Sequence, residues 1–176
     1  MTTEPTPDVV VIVGTDHHPF DRLIQWMDDW LASTAPGSIR CLVQYGTSKP
    51  PMVADGRGYL DHSEVQTLMR GARAVVSHGG PTTIAEARRA GHQPVVVARD
   101  PECGEHVDGH QMRFARRLAA IGGIHLVENR AELDSALESR LRTPRSTEPL
   151  PGADTTASAL RFAVLVEEIL DGCGRG

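Results

Sequence analysis

Cysteine is scarce in this chain of 176 residues, where Cys41, Cys103 and Cys173 are the only three. Far apart and odd in number, they form neither a disulfide framework nor a CxxC metal or redox pair, and they fit a reducing cytoplasm. A surplus of positive charge is missing too. Lys and Arg total 18 against 23 Asp and Glu, a formal net charge of -5, which argues against nucleic acid as a partner because gripping a phosphate backbone needs clustered cations. Long apolar runs are absent. Val9 to Val13, as long as any, is too short to cross a bilayer, and Met1-Thr2-Thr3-Glu4-Pro5 offers neither the basic nor the apolar region of a secretion signal. Any membrane contact is therefore expected to be peripheral, with no transmembrane segment. Two nucleotide fingerprints are also lacking: no G-x-G-x-x-G follows the first apolar run, and no G-x-x-x-x-G-K-[ST] occurs anywhere, so NAD and ATP chemistry lose ground.

What is present reads as a folded globule. Apolar residues make up 40% of the chain and charged ones 23%, ordinary values for a soluble protein. The length suits one domain with a sizeable core, and a second full domain is not expected. Val9 to Val13 is apolar on both faces and stops at Gly14, the signature of a central parallel strand covered by helices on each side. After Pro19, the spacing of Phe20, Leu23, Ile24, Met27, Trp30 and Leu31 predicts a helix from about Pro19 to Ala32. The alternation then repeats. Strands are expected at Ile39 to Gln44, near Tyr59-Leu60, at Ala74 to Ser77, Pro94 to Ala98 and Ile124 to Val127. Helices are expected at Ser63 to Arg70, Thr83 to Ala90, His110 to Ala120 and Ala131 to Leu141. This is an α/β pattern, a Rossmann-like doubly wound parallel sheet of about six strands with right-handed crossovers.

Residues 1–142 thus form the expected domain. Thr143 to Ser158, rich in Pro, Ser and Thr, reads as an irregular linker, and 159–171 as a C-terminal helix. The apolar face of that helix, with Leu160, Ala163, Val164, Val166, Ile169 and Leu170, is broad enough to pack on the domain or on a partner.

A doubly wound sheet binds ligands where its strand order reverses, which here falls between the first and fourth strands. The loops leaving them are Gly14-Thr15-Asp16-His17-His18 and His78-Gly79-Gly80-Pro81-Thr82-Thr83. In the second, glycines allow close backbone approach, Thr83 and Glu86 match a capping box, and the following helix start favours an anion. A diphosphate fits there. The plainer alternative is a glycine turn, a capped helix and a core histidine.

Taken in order, Val13-Gly14-Thr15 with Phe20-Asp21-Arg22-Leu23-Ile24, Val43-Gln44-Tyr45-Gly46, His78-Gly79-Gly80 through Glu86-Ala87, and Glu105-His106-Val107-Asp108-Gly109-His110-Gln111 resemble a known family. It is the donor-binding C-terminal domain of family 28 glycosyltransferases, the second half of a two-domain (GT-B) architecture. The likeness runs from Val9 to Asn129 and is greatest to small, separately encoded members. These include the catalytic subunit of the two-subunit enzyme that adds N-acetylglucosamine to a lipid diphosphate, and bacterial subunits of exopolysaccharide assembly.

The resemblance implies a hexosyltransferase subunit that takes a UDP-sugar as donor. His78, Gly79, Gly80, Thr82 and Thr83, with Gly14 and Thr15, would surround the donor diphosphate. Glu86 would bond the ribose hydroxyls, Leu60 would meet uracil, and Asp108, His110 and Gln111 would read the transferred sugar. A carboxylate suits the ribose because it accepts from two neighbouring hydroxyls. Thr82-Thr83 replaces the family's usual Gly-Ser or Gly-Thr, and Gly109 stands where close relatives often place an aspartate, which leaves the sugar's identity open.

The resemblance implies no metal or other cofactor, since helix and backbone donors would stabilise the departing diphosphate. His17 with His18, and His106 with His110 around Asp108, have metal-ligand chemistry, but structural or sugar-contacting roles rank ahead of it. Inverting transfer needs a base for the acceptor hydroxyl. In two-domain relatives that base lies on the other domain, and here only His17 and His18 offer themselves. The expected partner is a membrane-associated subunit presenting a lipid-linked acceptor, so the chain is placed in the cytoplasm, peripheral to the inner face of the membrane. A non-catalytic nucleotide-sugar-binding module is the alternative.

Overall fold

Apolar runs that must be hidden on both faces dictate the sheet. The computed structural model of the chain describes residues 6–107, 109–144 and 148–150. Strand β1 (Val9–Ile12) is buried at every position. Its odd residues, Val9 and Val11, join Val13 in a core with Phe20, Leu23, Met27, Trp30, Leu133 and Leu137, whereas Val10 and Ile12 face Met69, Ala72 and Ala87. Alternate side chains leave a strand on opposite sides, so a run hydrophobic at every residue is a strand covered twice. The helices doing the covering are α1 (Asp21–Ser33) and α5 (Arg130–Arg142) on one face, and α2 (His62–Gly71) and α3 (Pro81–Arg89) on the other. Each fully buried Leu or Met contributes about 1.5–3 kcal/mol of transfer free energy.

Completing the layers are β2 (Cys41–Gln44), β3 (Asp55–Arg57), β4 (Ala74–Ser77), β5 (Val95–Val96), α4 (His110–Ala120) and β6 (His125–Leu126), with a 3-10 turn at Pro101–Cys103. The sheet has six strands in the order β3-β2-β1-β4-β5-β6, and every pair in it is parallel. That is the doubly wound order expected, with its reversal at β1 and β4. Helix α4 packs through Phe114, Ala115 and Leu118 on Ile84, Val96 and Ala98, a separate cluster beneath the later strands. Among the described residues no helix is long and apolar enough to cross a membrane.

Two expectations need correction. The short strand near Tyr59-Leu60 forms instead at Asp55–Arg57, an exposed edge strand hydrogen-bonded to β2 alone. The capping box at Thr83 and Glu86 does not form either. Helix α3 begins two residues earlier, with Gly80 as its N-cap and Pro81 in its first turn, and no side chain caps it. Proline at the first helical position loses only an N–H that would have no helical partner. The linker expected at 143–158 is described only at 143, 144 and 148–150, and the helix expected at 159–171 lies outside the described residues.

Candidate functional site

The two loops at the reversal leave the sheet side by side, because Ile12 at the end of β1 is in register with Ser77 at the end of β4. Between them His78 is wedged. A Cβ on Gly14 would stand 2.7 Å from His78 Cε1, and one on Gly80 2.3 Å from His78 Nε2. Those glycines are thus required by the imidazole that fills their place, and Gly14, at φ +85°, also has a backbone that other residues rarely adopt. His78 Nδ1 donates to Ile12 O at 3.2 Å. Burial pushes its pKa down to about 4, so the ring is neutral at pH 7. With the proton on Nδ1, Nε2 is an acceptor.

Around this wedge opens a cleft of about 450 Å³, lined by Gly14, Thr15, His78, Gly80, Thr82, Thr83 and Glu86 and roofed by Tyr59 and Leu60. Gln44 holds its floor. From the end of β2 its buried amide accepts from Gly14 N at 3.1 Å and donates to Gly14 O and Gly58 O, each at 3.0 Å. Glu86, 8% exposed, points into the cleft from α3, and His62 at the start of α2 reaches its Oε1 with Nδ1 at 2.9 Å. Among the described residues no Lys or Arg lines the cleft. An anion bound there would be met by the uncapped N-terminus of α3, through the N–H groups of Thr82 and Thr83 and the helix dipole. A larger hollow of about 650 Å³ runs along the β3 edge and shares only Leu60 with the cleft. Lying away from the strand reversal, it lacks the glycine turn and the start of α3, and the helix start that borders it, that of α2, is already capped by Asp61.

Behind the first loop lies a buried polar brace. Arg99, 1% exposed, donates to Val13 O at 2.8 Å, His18 O at 2.6 Å and Glu105 O at 2.9 Å, tying the end of β1 to the turn after β5. Its guanidinium also stands 5.0 Å from the Phe20 ring centroid. Glu105, itself buried, takes both arms of Arg22 at 2.8 and 2.7 Å and accepts from Asp100 N at 2.8 Å. Burial alone would raise the pKa of Asp16, but hydrogen bonds from His18 and the charge of Arg99 outweigh it and hold the carboxyl at about 2. The loop is therefore pinned by paired groups, as buried charges require.

Of the residues singled out in the sequence, Gly14, Thr15, Leu60, His78, Gly80, Thr82, Thr83 and Glu86 line one cleft. Gly79 sits just behind it, at φ +90° and against Val96. His17 and His18 are not among the lining residues and gather around Asp16 instead. Asp108 lies outside the described residues, and of His110 only its place at the start of α4 is described. Gln111, in the first turn of that helix, keeps Oε1 buried, without a hydrogen-bond partner among the described residues, and does not line the cleft. Gln44, His62, Arg99 and Glu105 were not singled out for the site. Gln44 and Glu105 fall in the stretches Val43 to Gly46 and Glu105 to Gln111 that resemble the family, whereas His62 and Arg99 carry no local pattern that marks them.

Comparison with known families decides what kind of domain this is. The model of the glycosyltransferase family 28 C-terminal domain matches residues 8–168. This chain belongs to that family. A search of curated proteins gives no match. Among solved structures, CalG4, the calicheamicin glycosyltransferase, is similar with a TM-score of 0.55 at 16% identity, over 97% of this chain and 39% of that one. The glycotransferase of kitacinnamycin is similar with a TM-score of 0.59 at 15% identity, over 96% of this chain and 40% of that one. At such identities the likeness is one of fold, and the family 28 domain here has the Rossmann-like form of a GT-B half. The chain spans about two fifths of the length of these relatives.

Proposed function

We propose that this family 28 domain binds a UDP-sugar and serves as the donor half of a hexosyltransferase whose acceptor, lipid-linked or saccharide, is brought by a partner subunit. The observation that carries the reading is the convergence of both reversal loops, the open start of α3 and Glu86 on one cleft. The diphosphate lies against Gly80, Thr82 and Thr83, where the backbone N–H groups at the start of α3 serve as its donors. These donors strengthen their bonds as charge develops on the leaving UDP, which favours the transition state over the ground state. The ribose hydroxyls bond the Glu86 carboxylate, with His62 holding Oε1 so that the group is aimed before the ligand arrives. Uracil stacks toward Leu60 and Tyr59.

In this reading the transferred sugar is met by Asp108, His110 and Gln111, the residues that the sequence motif suggests for it. Ligand contact would give Gln111 Oε1 the partner it lacks among the described residues. Because His17 and His18 are engaged around Asp16 rather than in the cleft, the base for the attacking hydroxyl belongs to the partner subunit. Titrating the purified chain with UDP and UDP-sugars tests the donor site, and absence of binding at millimolar ligand would sink it. Transfer assayed with and without a co-expressed membrane-associated partner tests the division of labour. Full activity from the chain alone would overturn the partner requirement, and no transfer under any pairing would favour a non-catalytic binding module.

A further inference from the structure

Beside the donor cleft, the loop leaving β1 carries a constellation that nucleotide binding does not use. Asp16, His17 and His18 each present one ligand atom, and all three atoms lie within 4.8 Å of one another. Asp16 Oδ1 is 2.7 Å from His18 Nδ1 and 3.7 Å from His17 Nδ1. The two imidazoles are tilted together with ring centroids 3.9 Å apart. At the other carboxylate oxygen, His106 brings Nε2 to 3.7 Å from Oδ2.

A tetrahedral ion with bonds of about 2.0–2.1 Å holds its ligand atoms roughly 3.4 Å apart. The two separations from Asp16 Oδ1 bracket that spacing, and an ion would take the place of the Asp16–His18 side-chain hydrogen bond while the backbone N–H of His18 stays on the same oxygen at 2.7 Å. The backbone beneath is already fixed, since Arg99 grips His18 O at 2.6 Å and Thr47 Oγ1 donates to Asp16 O at 3.2 Å.

We propose that Asp16, His17 and His18 form a binding site for a divalent first-row transition ion such as zinc, with His106 steadying the other oxygen of the carboxylate. Two imidazoles and one carboxylate suit such ions, whereas magnesium and calcium require oxygen donors. The ion would be structural for the loop rather than a participant in sugar transfer. With His17 84% exposed, it keeps at least one position open to solvent.

The test uses the tag-free full chain, stripped with EDTA and titrated with zinc by calorimetry and with cobalt by visible absorption. One saturable equivalent is expected, with a tetrahedral cobalt spectrum and no competition from excess magnesium. His17→Ala, an exposed change that leaves the fold intact, and Asp16→Asn should each weaken zinc by at least about tenfold, and His106→Ala by about tenfold. Circular dichroism confirms folding of each variant. No saturable binding, or one-equivalent binding untouched by His17→Ala, would overturn the site. None of these side chains lines the donor cleft, so zinc binding and UDP binding fail or succeed separately.

Discussion

Replacing His78 should remove a specific part of the protein's sensitivity to acid. In the folded chain the imidazole is buried between Gly14 and Gly80, and burial depresses its pKa from the ordinary 6.5 to about 4. Between those values the unfolded chain takes up a proton that the folded chain refuses, so stability is intact above pH 6.5 and falls as the pH drops toward 4. At about 1.4 kcal/mol per pH unit, the gap sets a ceiling of ~3 kcal/mol for the loss. That is a large share of the ~5–15 kcal/mol typical of a domain. His125, whose pKa burial also depresses, bends the curve the same way. The stability that Asp16 gains from its low pKa is lost only below pH 4, in a different window.

Urea titrations of wild type and His78→Gln at pH 7 and pH 4.5 isolate the His78 part. The variant is expected to be less stable at pH 7, because the glutamine fits the wedge imperfectly, yet to lose about 2–3 kcal/mol less than wild type on acidification. An equal loss in both proteins would refute the buried, neutral histidine and with it the account of the two glycines.

Other consequences follow from the same packing. Gly80→Ala places a methyl 2.3 Å from His78 Nε2 at the N-cap of α3. It should cost about 1–3 kcal/mol, as overpacking does, and lower UDP affinity; a Tm shift and a ligand titration check both. Arg99→Met removes the donors that serve Val13 O, His18 O and Glu105 O. Stranding buried carbonyls should cost on the order of 3 kcal/mol in a denaturant titration, and a loss under 1 kcal/mol would show that the brace is dispensable.

The parts legible in the sequence were those whose signal is local. Val9 to Val13 marks a central strand because burial on both faces demands an unbroken apolar run, and the alternation of strands and helices implies a parallel sheet, whose reversal at β1 and β4 is that of the common six-strand order. Edge strand β3 escaped because Asp55-Gly56-Arg57 is exposed and polar, held by one row of hydrogen bonds to β2. The apparent capping box at Thr83 and Glu86 misled because Pro81 can start the helix earlier, which buries Glu86 and turns it into the cleft. A capping box does occur at Asp61 and Glu64, opening α2. The supporting residues were least legible of all. Arg99 reads as an ordinary charge after a strand, and only the folding of Val13, His18 and Glu105 around it makes it a brace.

The central claim is that Glu86 and the start of α3 hold the nucleotide of the donor. Its most direct test is the affinity of UDP for wild type and for Glu86→Ala, measured by calorimetry at pH 7.5. Loss of charge-assisted hydrogen bonds worth about 1.5–3 kcal/mol should weaken binding roughly 10- to 100-fold, with the variant still folded. Unchanged affinity in a folded Glu86→Ala protein would contradict the placement of the ribose and of the site built around it.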